Sequence, residues 1–272
     1  MDHRGEAGGN ARDGFAPRLS EWPRENAELE IFEARVSIAE NLQRVHDAIA
    51  TAATKSGRRA DDVELIAVTK THPAERVREA IEAGQTLFGE SKLQEARAKI
   101  ELLPSSARWH FIGHLQKNKV RHALPLFEVF HSVDSLELAT AINRVADEEG
   151  HLPHVLLEVN VSGEWSKFGF KPEKVREEME ALLALDRITI DGLMTIPPFN
   201  PEPEASREFF VTLRELRDEL HRDSGAQLPQ LSMGMSGDFA VAIEEGATLV
   251  RVGTAIFGER TKWRDRVVVN ED

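Results

Sequence analysis

Val63-Glu64-Leu65-Ile66-Ala67-Val68-Thr69-Lys70 is a nearly unbroken run of apolar and β-branched residues that ends in a lysine, with Thr71-His72-Pro73 directly behind it. It predicts a strand buried on both faces, as strands of an all-parallel sheet are. Pro73 favours the first position of a helix, so the strand must stop within a residue or two of Lys70. A lysine at the carboxyl end of a buried parallel strand stands where α/β barrels place their chemistry. The plainer reading is a lysine that snorkels out of a strand end.

Working outward from this strand, the same unit repeats. Upstream, Phe32, Val36, Ala39, Leu42, Val45 and Ile49 are spaced as one face of a helix, with Gly57 as its stop. Downstream, Val77, Ala80 and Ile81 mark a helix that closes at Gly84, followed by a short strand at Thr86-Leu87-Phe88. Ser91-Lys92-Leu93-Gln94 has the form of a capping box and predicts the next helix start.

Strands are then expected at Arg108 to Ile112, Glu128 to Ser132, His154 to Val161, Arg187 to Met194, Gln230 to Ser232 and Leu249 to Val252. Helices fall between them: Gln116 to Leu124, Leu136 to Glu149, one opened by Pro172, and a long one carrying Phe209, Leu213, Leu216 and Leu220. The last runs from Phe239 to Glu245. Eight β-then-α units without a break in composition predict an α/β protein, a single-domain (β/α)8 barrel of the TIM type. An open doubly wound sheet is the alternative, but Thr69-Lys70-Thr71-His72-Pro73 lacks the glycines of a dinucleotide fingerprint. The barrel is expected to occupy residues 29–272. Residues 1 to about 28, rich in Gly, Pro, Arg and Glu without apolar period, are expected to form a mobile tail.

Composition narrows the function. Of 272 residues, 34 are Lys or Arg and 47 Asp or Glu, a net charge of −13 that argues against a nucleic-acid binder. Cysteine is absent, which excludes disulfides and thiolate chemistry and suits a reducing compartment. No run approaches the length of a membrane span and no signal core opens the chain, so a cytoplasmic location is expected. His110 and His114 lie four apart with no carboxylate to complete a zinc motif. Lys117, Lys119, Arg121 and His122 form a basic cluster whose default is a solvated helix face.

The densest candidate chemistry is Leu231-Ser232-Met233-Gly234-Met235-Ser236-Gly237-Asp238 together with Val250-Arg251-Val252-Gly253-Thr254-Ala255-Ile256-Phe257-Gly258. In a barrel these are the loops after strands seven and eight, where phosphates commonly bind. Gly234, Gly237 and Gly253 would let backbone approach an anion, and Ser236 and Thr254 offer hydroxyls. A strand-end lysine facing a phosphate pocket suggests a phosphorylated aldehyde held as a Schiff base. Arg251 is the neighbouring cation that would favour the neutral amine, and pyridoxal 5′-phosphate is the cofactor that needs both features.

The segments Ala67 to Thr71, Phe88-Gly89-Glu90, Trp109 to Lys119, Gly192 to Pro197, Leu231 to Asp238 and Arg251 to Gly258 together resemble the pyridoxal-phosphate homeostasis protein family. The likeness runs in order from about residue 35 to residue 260. It implies a monomeric single-domain barrel similar to the N-terminal domain of alanine racemase (fold type III among proteins of this cofactor). It also implies a protein that buffers pyridoxal phosphate or delivers it to apoenzymes, without catalytic turnover.

By position, the resemblance makes Lys70 the Schiff-base lysine. Ser236, Gly253 and Thr254 hold the phosphate, with Gly234 in the same loop, Arg251 faces the pyridine nitrogen, and Met194 packs near the ring. Ser91 stands where the family usually has an asparagine that reaches the cofactor, and His114 where it has a smaller residue or proline. Lys167 matches a family lysine near the pocket mouth, either a transient second acceptor for the aldehyde or an exposed loop lysine.

Two other readings compete. Two-base racemisation resembling alanine racemase needs a tyrosine opposite the lysine, and the chain contains none. A cofactor-free Schiff-base aldolase would leave Arg251 without a ring nitrogen to meet.

Overall fold

The computed structural model describes residues 36–165 and 167–259. Strands β1 (Glu64–Val68), β2 (Leu87–Glu90), β3 (Arg108–Phe111), β4 (Val129–Val133), β5 (His154–Glu158), β6 (Thr189–Met194), β7 (Gln230–Ser232) and β8 (Leu249–Val252) pair in sequence order. The sheet closes when β8 pairs with β1 in parallel register, Glu64 against Leu249 and Ala67 against Val252. The eight-strand parallel barrel is therefore present as expected. The tail assigned to residues 1–28, Phe32 and the barrel's expected last residues lie outside the described residues.

Helices cover the barrel: α1 (Ile38–Lys55), α2 (Ala74–Glu82), α3 (Leu93–Ile100), α4 (Val120–Ala123), α5 (Leu136–Glu149), α6 (Pro172–Leu183), α7 (Arg207–Ser224), α8 (Phe239–Glu244) and α9 (Thr254–Phe257). Local chemistry sets several of their ends. Ser37 and Glu40 form a reciprocal capping box at α1, Ser135 caps α5, Pro172 is the first residue of α6, and Gly150 and Gly225 end α5 and α7 in left-handed conformation.

Helix α1 buries Ile38, Leu42, Val45, Ile49, Ala52 and Ala53, whereas Val36 and Ala39 stay exposed. It covers the seam where the barrel closes. Asn41 Nδ2 donates to the Ile256 carbonyl at 2.9 Å, and Arg58 Nη1 donates to the carbonyls of Ile243 (3.1 Å) and Ala247 (2.8 Å).

Some local expectations shift. Lys92, not Ser91, caps α3, and no side chain takes part; the chain leaves β2 through Ser91 toward the barrel mouth before turning. Pro73 is the residue before α2 rather than its first. On α7 the buried phenylalanine is Phe210, because the stripe through Leu213, Leu216 and Leu220 runs back to 210 rather than 209. The segment after Gln116 is a 3-10 turn (Lys117–Lys119) followed by the single turn of α4.

Inside the barrel, Ile66, Leu87, Leu156, Met194 and Leu249 form an apolar layer. Four polar side chains share that interior: His110, His131, Ser232 and Arg251, each at most 4% exposed. The strands' outward faces build the larger core against the helices.

Candidate functional site

Lys70 follows β1 directly, and its loop is held with care. Thr71 has φ 68°, the sole positive φ of a non-glycine among the described residues, and its N–H donates to Glu95 Oε1 at 2.5 Å. Behind it, Lys99 Nζ donates to Glu90 Oε1 (2.6 Å), Glu95 Oε1 (2.7 Å) and the Thr69 carbonyl (2.7 Å), and Thr69 Oγ1 donates to Glu90 Oε1 (2.6 Å). This buried knot ties the ends of β1 and β2 to α3. Burial pushes the Glu90 carboxyl up, against the pull of Lys99. At Glu95 the bonds from Lys99 and Thr71 outweigh burial and hold the carboxyl down.

Lys70 opens on a cavity of about 380 Å³ at the carboxyl ends of the strands, and Ser91, Ser236, Gly237, Arg251, Gly253 and Thr254 line it too. Because β8 pairs with β1, the phosphate-type loops are neighbours of the lysine rather than opposite it. A Cβ on Gly253 would sit 3.2 Å from the Val68 carbonyl. Ser236 Oγ accepts from Gly253 N–H (3.2 Å) and Ala255 N–H (3.4 Å), so a hydroxyl oxygen lies where these amides converge. An anionic oxygen suits the same donors.

Arg251 forms the buried side of the cavity. Its Nη1 donates to Ser232 Oγ at 2.6 Å and its Nη2 to the Thr195 carbonyl at 2.9 Å. Burial lowers the guanidinium to about 10, with Glu158 and Asp238 opposing, so it remains protonated at neutral pH. Glu158, at the end of β5, is raised to about 7 by burial and by Asp134, with Arg251 and Lys167 pulling the other way.

Residues 41–261 match the family "Alanine racemase, N-terminal domain". The pyridoxal phosphate homeostasis protein of Aquifex aeolicus is 45% identical over 226 residues, 83% of this chain and 99% of that protein. The Escherichia coli protein of the same name is 42% identical, covering 82% of this chain and 97% of its own length. This chain belongs to the pyridoxal phosphate homeostasis protein family. PipY of Synechococcus elongatus, whose structure was solved with PLP bound, is 39% identical, with a TM-score of 0.73, over 82% of this chain and all of that one. Alanine racemase of Clostridium difficile, at 18% identity and a TM-score of 0.63, shares the fold over 58% of its length.

Two residues expected at the site of this homeostasis-family barrel are not among those that line the cavity. Met194 is sealed inside the barrel layer, and Ile196, two residues on, lines the cavity in its place. Gly234 is not on the cavity wall, and packing requires a glycine there: at φ 91°, a Cβ would meet Ala242 Cβ at 2.6 Å and Phe239 Cα at 2.9 Å. Ser91 lines the cavity without capping a helix. Lys167 is half-buried and not among the lining residues, its Nζ 3.4 Å from the carbonyl of Pro197, which lies between the lining residues Ile196 and Pro198.

Sequence reasoning missed His72, Ile112, Phe199, Asn200 and Asp238 on the cavity wall. Asp238 had a local signal, since it follows Ser236-Gly237 at a helix start. Its carboxylate accepts from Met235 N–H (2.7 Å) and Ser206 Oγ (3.0 Å). Phe199 and Asn200 reach the mouth on the loop after β6, and no local pattern announced them. Two members of the basic cluster are matched: Lys117 pairs with Glu137, and Arg121 with Glu148 and Glu149. His114 pairs with Asp134 at 3.2 Å and stacks on Phe168.

Proposed function

We propose that this protein holds pyridoxal 5′-phosphate on Lys70 and keeps it for transfer to apoenzymes, without turnover of its own. When bound, the cofactor supplies an aldehyde that condenses with a primary amine and a ring that withdraws electrons. The observation that carries the reading is the convergence of Lys70, the Ser236–Gly253–Ala255 donor set and Arg251 on one cavity.

Each residue then has a task. Lys70 presents the amine from a loop fixed by Glu95 and Lys99. The hydroxyls of Ser236 and Thr254 and the amides at the start of α9 receive the phosphate. Arg251 offers a donor to the ring nitrogen. A guanidinium cannot accept a hydrogen bond, so the nitrogen stays unprotonated and the ring is a weaker electron sink than one paired with a carboxylate. That restrains carbanion chemistry at the bound molecule, which suits storage. The relatives' names and the PLP-bound PipY structure support this over a racemase, and the chain contains no tyrosine to act as second base.

No helix among the described residues is long and apolar enough to cross a membrane. We place the protein in the cytoplasm as a monomer that meets its apoenzymes transiently.

Borohydride reduction of the loaded protein, followed by peptide mapping, tests the site; the label belongs on the peptide containing Lys70, and recovery elsewhere rejects the assignment. Transfer to an apoenzyme in the presence of a trap for free aldehyde tests the role. Reactivation that the trap abolishes would argue against direct delivery.

A further inference from the structure

The barrel interior holds a chain of polar contacts that the binding reading does not use. Arg251 Nη1 donates to Ser232 Oγ (2.6 Å); Ser232 Oγ lies 2.9 Å from His131 Nδ1; and His131 Nε2 lies 3.0 Å from His110 Nδ1. The four side chains come from β8, β7, β4 and β3 and cross the barrel beneath the cavity. Their proton positions follow from their partners. A guanidinium can only donate, and His131 Nδ1 is the one other hydrogen-bond partner of Ser232 Oγ among the described residues, so it is the acceptor available for the hydroxyl proton.

Burial keeps both imidazoles neutral, aided at His110 by Arg108 and His154 and at His131 by His110 and Arg251; His110 is lowered to about 3 and His131 well below its ordinary value. A neutral His131 that accepts at Nδ1 carries its proton on Nε2 and donates it to His110 Nδ1. His110 in turn carries its proton on Nε2, a buried nitrogen without a hydrogen-bond partner among the described residues. Every link therefore points the same way, from the arginine toward the amino-terminal rim.

We propose that Ser232, His131 and His110 are positioning residues that orient the Arg251 guanidinium toward the cofactor. This rests on the reading that Arg251 faces the ring. An apolar filler of the same size would serve the core as well, since replacing buried polar networks by hydrocarbon is often neutral for stability. What filler cannot do is give the Ser232 hydroxyl an acceptor. Without one, the hydroxyl turns and the guanidinium loses a fixed partner. With the Thr195 carbonyl alone, one edge of the fork is held and the group can swing.

The test uses His131→Gln, whose amide can accept from Ser232 and donate to His110, and His131→Leu, which can do neither. Nitrogen-15 NMR of the full chain before loading should show both histidines protonated at Nε2. It should also show slowly rotating, resolved Arg251 Nη signals in the wild type and in His131→Gln, merged in His131→Leu. After loading, the visible absorption of the bound cofactor should match wild type in His131→Gln. In His131→Leu it should move in the direction seen for Arg251→Lys but less far, with cofactor affinity reduced roughly 2- to 10-fold, the worth of one modest hydrogen bond.

Ser232→Ala breaks the same chain and reads it if the leucine variant does not fold. Resolved, unchanged Nη signals in His131→Leu or Ser232→Ala overturn the proposal, as do Nδ1-protonated histidines. An unchanged spectrum in Arg251→Lys would instead overturn the placement of Arg251 at the ring, which the NMR of the unloaded protein does not depend on.

Discussion

The two ends of this barrel are made from the same eight strands and treat charge in opposite ways. At the amino-terminal rim, Arg108 bridges Glu64 (2.8 Å) and Glu128 (2.9 Å), and His154 meets Asp191 (2.7 Å), with the Arg108 cluster close to half exposed. Such pairs sit in high dielectric and satisfy one another. At the carboxyl end, donors from the loops after β1, β7 and β8 converge on shared empty space, and of the carboxylates nearby Glu158 is buried and Asp238 half-buried. One end spends its charges on itself, and the other aims them at a guest. Strand polarity explains the asymmetry: the loops that leave the carboxyl ends lead into helix starts, where backbone N–H groups point outward.

The most drastic way to break the comparison is Lys70→Ala. Visible absorption of the bound cofactor and borohydride labelling should both vanish, whereas Arg108→Ala at the other rim should leave both intact. If Lys70→Ala still fixes label after reduction, another amine carries the aldehyde.

Gly234→Ala comes next. Its Cβ would collide with Ala242 and Phe239 at a left-handed backbone position, so urea unfolding should show a loss of about 2–5 kcal/mol. Gly237→Ala, with nothing within 4 Å, should stay within about 1 kcal/mol of wild type. Equal losses would mean that the loop relaxes around both.

Glu158 supplies the pH dependence. Its carboxyl is raised to about 7 in the folded protein, so the folded state binds the proton more tightly than the unfolded chain does. Its contribution is complete below the unfolded carboxyl range and is lost as pH rises toward 7. That amounts to at most about 3 kcal/mol. The buried, lowered His110 and His131 act oppositely, costing stability as pH falls below the usual histidine range. The difference between wild type and Glu158→Gln isolates the carboxyl: the wild type's relative stability should fall between pH 5 and 7.5. A flat difference would show that Glu158 is solvated.

The smallest effect is at the amino-terminal rim. Arg108→Ala should cost about 1 kcal/mol or less, and high salt should shrink it further. A larger loss, insensitive to salt, would show that this rim is also buried architecture.

Much of this was legible from residue order. The Val63–Lys70 run, the repeating β-then-α units and the glycine-bearing loops near residues 234 and 253 carried the barrel and singled out Lys70, Ser236, Arg251, Gly253 and Thr254, which line one cavity. These signals are local: periodicity, buried-strand composition and turn chemistry are written in adjacent residues. Met194 and Gly234 are not on the cavity wall. Met194 lies one layer deeper in the barrel than Ile196, which shares its face, and α8 fills the space beside Gly234.

What only the tertiary structure decided is what lies beside what. Closure of β8 onto β1 puts the phosphate-type loops next to Lys70. The meeting of β3, β4, β7 and β8 inside the barrel assembles His110, His131, Ser232 and Arg251, residues separated by up to 141 positions (251 − 110) in the chain. No local pattern encodes such distances, because they are set by how eight strands tilt and stagger when they close into a ring.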